Sequence, residues 1–145
     1  MSGTLRVHEI YLSLQGESTF TGLPCVFIRL TGCDLRCSYC DTAYAFTGGE
    51  TLTLDSILEQ TTALAEGYPE PPLVELTGGE PLLQKETPAL LAALADRGFT
   101  VLLETSGAHD ISGVDARVHR IVDLKCPSSG ESDRNLPVNL HRLRA

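Results

Sequence analysis

A chain of 145 residues, 42% hydrophobic and 21% charged, is long enough to bury one core and reads as a single domain over residues 1–145. Its formal net charge of -8 excludes a general nucleic-acid surface, because neutralising phosphates takes clustered Lys and Arg. No apolar run approaches the ~20 residues that cross a bilayer, which excludes a helical membrane protein and points to the cytoplasm.

In chain order, the first residues, "MSGTLRVHEI", lack the basic-then-apolar pattern of a secretion signal. Arg6–Tyr11, "RVHEIY", reads as a first strand, and "SLQGESTFTGLP" as a polar, Gly-bearing loop. Cys25–Leu30, "CVFIRL", is apolar and β-branched, as buried strands are. A cysteine-bearing loop then runs to about Gly49. "TLDSILEQTTALAEG" predicts a helix capped by Thr53 or Asp55, with Ile57, Leu58, Leu64 and Ala65 on one face and Gly67 as its stop. "PPLVELTGGEP" is a short strand entering a Gly-Gly turn. "ETPALLAALADRG" predicts a second helix, with Thr87 as cap, Pro88 in the first turn and Gly98 past its end. "FTVLLETSG" and "VHRIVDLKCPSSG" are further strands ending in polar turns, while "ESDRNLPVNLHRLRA" shows no element of its own. Strands alternating with helices predict right-handed crossovers and a parallel sheet. Such sheets place their chemistry at the carboxyl ends of the strands. The stretches "TGCDLRCSYCDT", "TGGEP", "ETSG" and "DLKCPSSG" should therefore meet along one edge.

Five cysteines, an odd number, do not suit a disulfide framework in a cytoplasmic protein. Three of them, Cys33, Cys37 and Cys40, stand at spacing C-x3-C-x2-C. Zinc is one reading, but it wants a fourth ligand; Cys126 is alone, and His109, His119 and His141 lack paired spacing. A set of buried or redox-active thiols is a second reading. The third is an iron–sulfur cluster, which ordinarily takes four thiolates, so that three leave one iron open to a small molecule. Cys25 and Cys126 stand apart and are read as small buried hydrophobes.

C-x3-C-x2-C after an early buried strand, followed by "TGGEP" at Thr77–Pro81, resembles the radical S-adenosylmethionine (SAM) superfamily. "SLQGES", "FIRLTGCDLRCSYCDT" and "DLKCPSSGE" further resemble the 7-carboxy-7-deazaguanine synthase family, over about Ile10 to Ser132. The resemblance implies an α/β fold: a reduced, partial (β/α) barrel with a mainly parallel sheet. It implies a [4Fe–4S] cluster, SAM and Mg2+ as cofactors, with the cofactors carrying the chemistry and the protein positioning them. The implied reaction converts 6-carboxy-5,6,7,8-tetrahydropterin to 7-carboxy-7-deazaguanine, a radical ring contraction with loss of ammonia on the way to queuosine and other 7-deazapurines. The implied partners are the pterin, a reductant such as flavodoxin or ferredoxin, and a second copy in a homodimer, with no nucleic acid and no membrane.

Residue by residue, the resemblance gives Cys33, Cys37 and Cys40 to the cluster and Thr42 to Mg2+, a hard cation that suits an oxygen ligand. It gives Tyr39, Cys40, Asp41, Gly78, Gly79, Glu80, Ser106, Asp123, Leu124 and Lys125 to SAM. Leu14, Gln15, Gly16, Arg29 and Thr77 go to the substrate. Arg29 interrupts an apolar strand, where an anionic partner such as the pterin carboxylate would compensate its charge. The alternative is a strand-edge arginine paired with one of the chain's own acids. Glu104 either joins the SAM shell or only closes its strand.

Family members continue beyond "NLHRLRA", so the resemblance implies that the last strand and helix are lacking, with cofactor bound but pterin held weakly. Uncovered apolar surface would then favour instability or association. Three alternatives stay open: an activase that installs a glycyl radical on a partner, a non-catalytic zinc module, and an inactive fragment.

Overall fold

The computed structural model describes residues 2–143 and contains six strands and two α-helices. In chain order these are β1 (Thr4–Leu14), β2 (Pro24–Leu30), β3 (Glu50–Thr53), α1 (Leu54–Ala65), β4 (Leu73–Gly78), α2 (Thr87–Asp96), β5 (Val101–Thr105) and β6 (His119–Val122). They form one open sheet in the order β3-β1-β2-β4-β5-β6. Strands β2, β4, β5 and β6 run parallel, as expected of strands joined by crossovers. Strand β1 is antiparallel to both its neighbours, because the 15–23 loop folds it back on β2 as a hairpin. The sheet is therefore mixed rather than wholly parallel. It is open, with β3 and β6 at its edges.

Alternation along the parallel strands sorts the side chains onto two faces. Val26, Ile28, Leu30, Val74, Leu76, Val101 and Leu103 point to one face and pack with Leu54, Ile57 and Leu58 of α1 and Leu90, Leu91 and Leu94 of α2. Each leucine buried there contributes about 2 kcal/mol. The opposite face holds only a small apolar group, Cys25, Phe27, Leu73 and Leu102, with Tyr11, Phe20 and Ile121 against it. Polar residues occupy the rest of that face, and they build the site.

Several expectations are corrected. Strand β1 extends to Leu14, so Ser13 and Leu14 are strand residues. Strand β3 lay unseen inside what reads as the approach to α1, because "ETLT" is short and mostly exposed. Thr53 caps α1, accepting Ser56 N at 3.1 Å. Thr87 does not cap α2; it is the first helical residue, and its hydroxyl donates to Pro81 O at 2.6 Å. The tail is not featureless, since 3-10 turns form at Ser132–Arg134 and Pro137–Arg142. Buried Asn139 pins the second turn, donating to Gly107 O and His109 O and accepting Ile111 N. Arg144 and Ala145 lie outside the described residues. Among the described residues, no helix is long and apolar enough to cross a membrane.

Candidate active site

The loops after β2, β4, β5 and β6 meet at the carboxyl edge of the sheet, as the sequence predicts, and enclose a cavity of about 250 Å³. Cys33, Cys37 and Cys40 line it together with Tyr39, Asp41, Thr42, Gly78, Gly79, Ser106, Asp123 and Lys125. All three thiols are free and half-buried. Among the described residues, no three His, Cys, Asp or Glu side chains are gathered closely enough to hold a single metal ion. Three unpaired thiols on one wall of one cavity are the donor set that a cluster needs. Burial pushes the Cys33 thiol up, a cost that a bound metal removes by stabilising the thiolate.

The glycine turn approaches the cysteine loop at contact distance. Glu80 N donates to Gly32 O at 2.8 Å, and a Cβ on Gly79 would lie 1.9 Å from that same oxygen. Only glycine fits there. Glu80 does not line the cavity: its buried carboxylate accepts Leu82 N, Thr105 Oγ1 and Ser106 N at 2.7–2.9 Å. It shapes the turn from inside the protein. Leu124 is exposed and stands outside the cavity, while Lys125 faces in and pairs with Asp123 at 2.6 Å.

The segment after β6 straps the cysteine loop. Ser38 N donates to Ser129 O at 2.9 Å and Ser38 Oγ to Ser128 O at 2.6 Å. Arg36 N donates to Glu131 Oε1 at 2.9 Å. Asp34 Oδ2 takes Arg134 Nη2 at 2.7 Å and His109 Nε2 at 3.0 Å. Cys126 in this segment is exposed, which corrects its reading as a buried hydrophobe. Cys25 is buried as expected, its thiol pushed up to about 12 by burial and then by the nearby Glu75 charge.

A second cavity of about 230 Å³ adjoins the first along the polar face of the sheet. Asp41, Thr42, Thr77, Gly78, Glu17 and Glu104 line both. Gln15, Gly16, Arg29, Phe27 and Glu75 line the second alone. Thr42 stands before a 3-10 turn, but its hydroxyl makes no capping bond; the residue lines both cavities, and its Oγ1 lies 3.9 Å from Cys40 Sγ. Leu14 is exposed and lines neither cavity.

Arg29 already has protein partners: Glu9 Oε1 at 2.8 Å, Gly78 O at 3.2 Å and Tyr11 OH at 3.3 Å. A ligand carboxylate is not needed to explain its charge. Gln15 is buried and uses both ends of its amide, donating to Glu75 Oε2 at 2.5 Å and accepting Glu17 N at 3.2 Å. Glu17 and Glu75 escape sequence reasoning. For Glu75 the available signal is its period-2 alignment with Thr77 in the strand "LVELTG".

An open α/β sheet whose carboxyl edge presents three thiols, a glycine turn and two joined polar cavities defines a protein built to seat a cofactor beside a small ligand. The chain belongs to the radical SAM superfamily, whose family model matches residues 27–128. It is 50% identical over 135 residues to the 7-carboxy-7-deazaguanine synthase of Chlorobaculum tepidum, covering 93% of this chain and 59% of that relative. It is 49% identical over 140 residues to the synthase of Koribacter versatilis, covering 96% and 60%. The crystal structure of QueE from Escherichia coli matches with a TM-score of 0.73 at 28% identity, covering 85% of this chain and 60% of that one. The chain thus spans about 60% of the length of these two synthases. Membership of the superfamily implies a [4Fe–4S] cluster and SAM, and the three-thiol wall fits that pair.

Proposed function

We propose that this chain forms a single radical SAM domain and carries the catalytic core of a 7-carboxy-7-deazaguanine synthase, acting on 6-carboxy-5,6,7,8-tetrahydropterin. The observation that carries the reading is the meeting of three thiols with a second, polar cavity through the shared residues Thr42, Thr77 and Gly78. Identity of 50% and 49% to two synthases of that name supports it.

In this reading Cys33, Cys37 and Cys40 hold the cluster. Tyr39, Asp41, Gly78, Gly79, Ser106, Asp123 and Lys125 contact SAM, Leu124 only joins the last two, and Glu80 acts by fixing the turn. The bound cluster and SAM supply reductive cleavage of SAM and hydrogen-atom abstraction from substrate. The protein's part is orientation and exclusion of water. Gly78 and Gly79 let the backbone come close to a ligand in the first cavity. Gln15, Gly16, Arg29 and Thr77 orient the pterin in the second, with Leu14 contributing through the backbone at the end of β1. The Arg29–Glu9 pair is then preorganised, so its remaining N–H groups meet the ligand at little further entropic cost. Thr42, which lines both cavities, would offer a hard oxygen to a Mg2+ ion, and the ion would supply positive charge beside an anionic substrate. The reading carries with it a flavodoxin- or ferredoxin-like reductant, a homodimer and a cytoplasmic setting.

The test is anaerobic reconstitution of the cluster, followed by dithionite, SAM, Mg2+ and the carboxytetrahydropterin. Mass spectrometry should find 7-carboxy-7-deazaguanine. Deoxyadenosine without any deazapurine would sink the substrate assignment, and an activase would behave that way.

A further inference from the structure

The polar face of the sheet sets Arg29 on β2, Glu75 and Thr77 on β4, and Glu104 on β5 side by side, where a parallel sheet normally carries apolar residues. Glu75 is buried and Glu104 half-buried, both line the second cavity from adjacent parallel strands, and each carboxyl acts on the other's proton. Neither forms an ion pair among the described residues; the neighbouring cation, Arg29, is engaged by Glu9. Two buried carboxyls in contact do not both ionise, because the like charges and the lost hydration both oppose it. Burial, then the Glu75 charge, pushes Glu104 up to about 8, and Glu17 and Asp123 add to the push. Burial also raises Glu75, but the bonds from Gln15 and Glu104 and the charge of Arg29 pull it back. Of the two, Glu104 is the more readily protonated, and Thr77 Oγ1 donates to its Oε2 at 3.3 Å.

We propose that Glu75 and Glu104 form a one-proton carboxyl pair that faces the substrate and moves a proton from ring carbon to leaving nitrogen. The proposal rests on the deazaguanine reading and names residues for its last step. Loss of ammonia breaks one C–N bond, whose electron pair leaves with nitrogen, and one C–H bond, whose pair becomes the ring double bond. No electrons are gained or lost. The ionised Glu75 accepts the carbon's proton, and the protonated Glu104 supplies the one that leaves as ammonia. The pair ends with one proton, as it began. A pair that is half-protonated at neutral pH offers a base and an acid on one wall of the cavity, which a single carboxylate does not.

The test uses the reconstituted holoenzyme, labelled with 13C at the glutamate carboxyls, and infrared spectra over pH. A protonated glutamate should be present at pH 7, titrate only above that pH, vanish in Glu104→Gln and titrate at lower pH in Glu75→Gln. No protonated glutamate at pH 7, a band that survives in Glu104→Gln, or a titration that Glu75→Gln leaves unmoved overturns the shared proton. In turnover with the pterin, each variant should keep forming deoxyadenosine while deazaguanine falls at least tenfold and a product still bearing the amine accumulates. Equal loss of both products would overturn the proton-transfer role. Glutamine is nearly isosteric, and thermal melting checks that each variant folds. If the wild type forms deoxyadenosine but no deazaguanine, the substrate reading and the transfer role fall together, and the infrared band alone decides whether the proton is shared.

Discussion

The Arg134 guanidinium reaches back 100 residues to Asp34, donating Nη2 to its carboxylate at 2.7 Å and Nη1 to its carbonyl at 3.2 Å. Asp34 directly follows the first of the three cavity cysteines, so this clamp fixes where the cysteine loop begins. Glu131, holding Arg36 N, fixes the middle. Both partners come from the polar stretch after β6.

Removing the clamp should therefore affect the cluster more than the fold. Arg134→Ala and Glu131→Ala should each lower iron retained after desalting several-fold and speed its loss to a chelator. The melting temperature of the cluster-free chain should change little, because exposed pairs contribute about 0.2–1 kcal/mol. Arg134→Lys should rescue only in part, since a single ammonium does not reproduce the two-point grip. Unchanged iron retention in all three would show that the cysteine loop holds its shape unaided.

Stability should fall as pH rises toward alkaline. Glu104 has an ordinary value of 4.5 and is raised to about 8 in the fold. Between those values the native state holds a proton that the unfolded chain has released, so rising pH favours unfolding. The contribution is fully present below about pH 4.5, is lost by about pH 8 and is flat beyond. Glu104→Gln should remove that slope and stabilise the protein at pH 8.5 by on the order of 3 kcal/mol. Urea melts at pH 5.5, 7 and 8.5 measure this, and parallel slopes for variant and wild type would contradict it.

Gly79→Ala should damage both fold and site. The added methyl meets Gly32 O at 1.9 Å, so one of the two loops must move. Overpacking of this kind costs about 1–3 kcal/mol, and here the displacement falls between the glycine turn and the cysteine loop. Denaturant melts should show the loss, and equilibrium dialysis should show weaker SAM binding.

Thr42→Val keeps the shape of the side chain and removes its oxygen. Because the hydroxyl makes no capping bond, folding should be unaffected. Under the magnesium reading, the wild type is stimulated by Mg2+ and the variant is not. Equal stimulation of both would move the metal elsewhere.

Much of this arrangement is legible in the residues. Apolar, β-branched runs mark β2, β4 and β5, the 3.6-residue period marks α1 and α2, and the rule of carboxyl-end chemistry brings four distant loops to one edge. The local exceptions each have a physical reason. Strand β3 is four residues of mostly exposed polar and apolar alternation, too short to separate from the helix that follows. The direction of β1 depends on whether the 15–23 loop is a hairpin, which composition does not decide. The 3-10 turns of the tail draw their stability from Asn139 and Leu136 bonding to Gly107 and His109, contacts about 30 residues away in sequence. Glu80 escapes sequence reading for a related reason, since its partners Thr105 and Ser106 lie on another strand end; for Arg29 an acid of the chain is foreseeable, but only the fold identifies it as Glu9. Glu75 became visible as a site residue once strand register set it on the face of Arg29 and Thr77.

The most direct test of a three-thiolate cluster that binds SAM is electron paramagnetic resonance of the reduced, reconstituted chain with and without SAM. The expected result is a cluster signal whose shape changes on adding SAM and that is missing from Cys33→Ala, Cys37→Ala and Cys40→Ala. A signal indifferent to SAM, or one that persists when any of those cysteines is replaced, would contradict it.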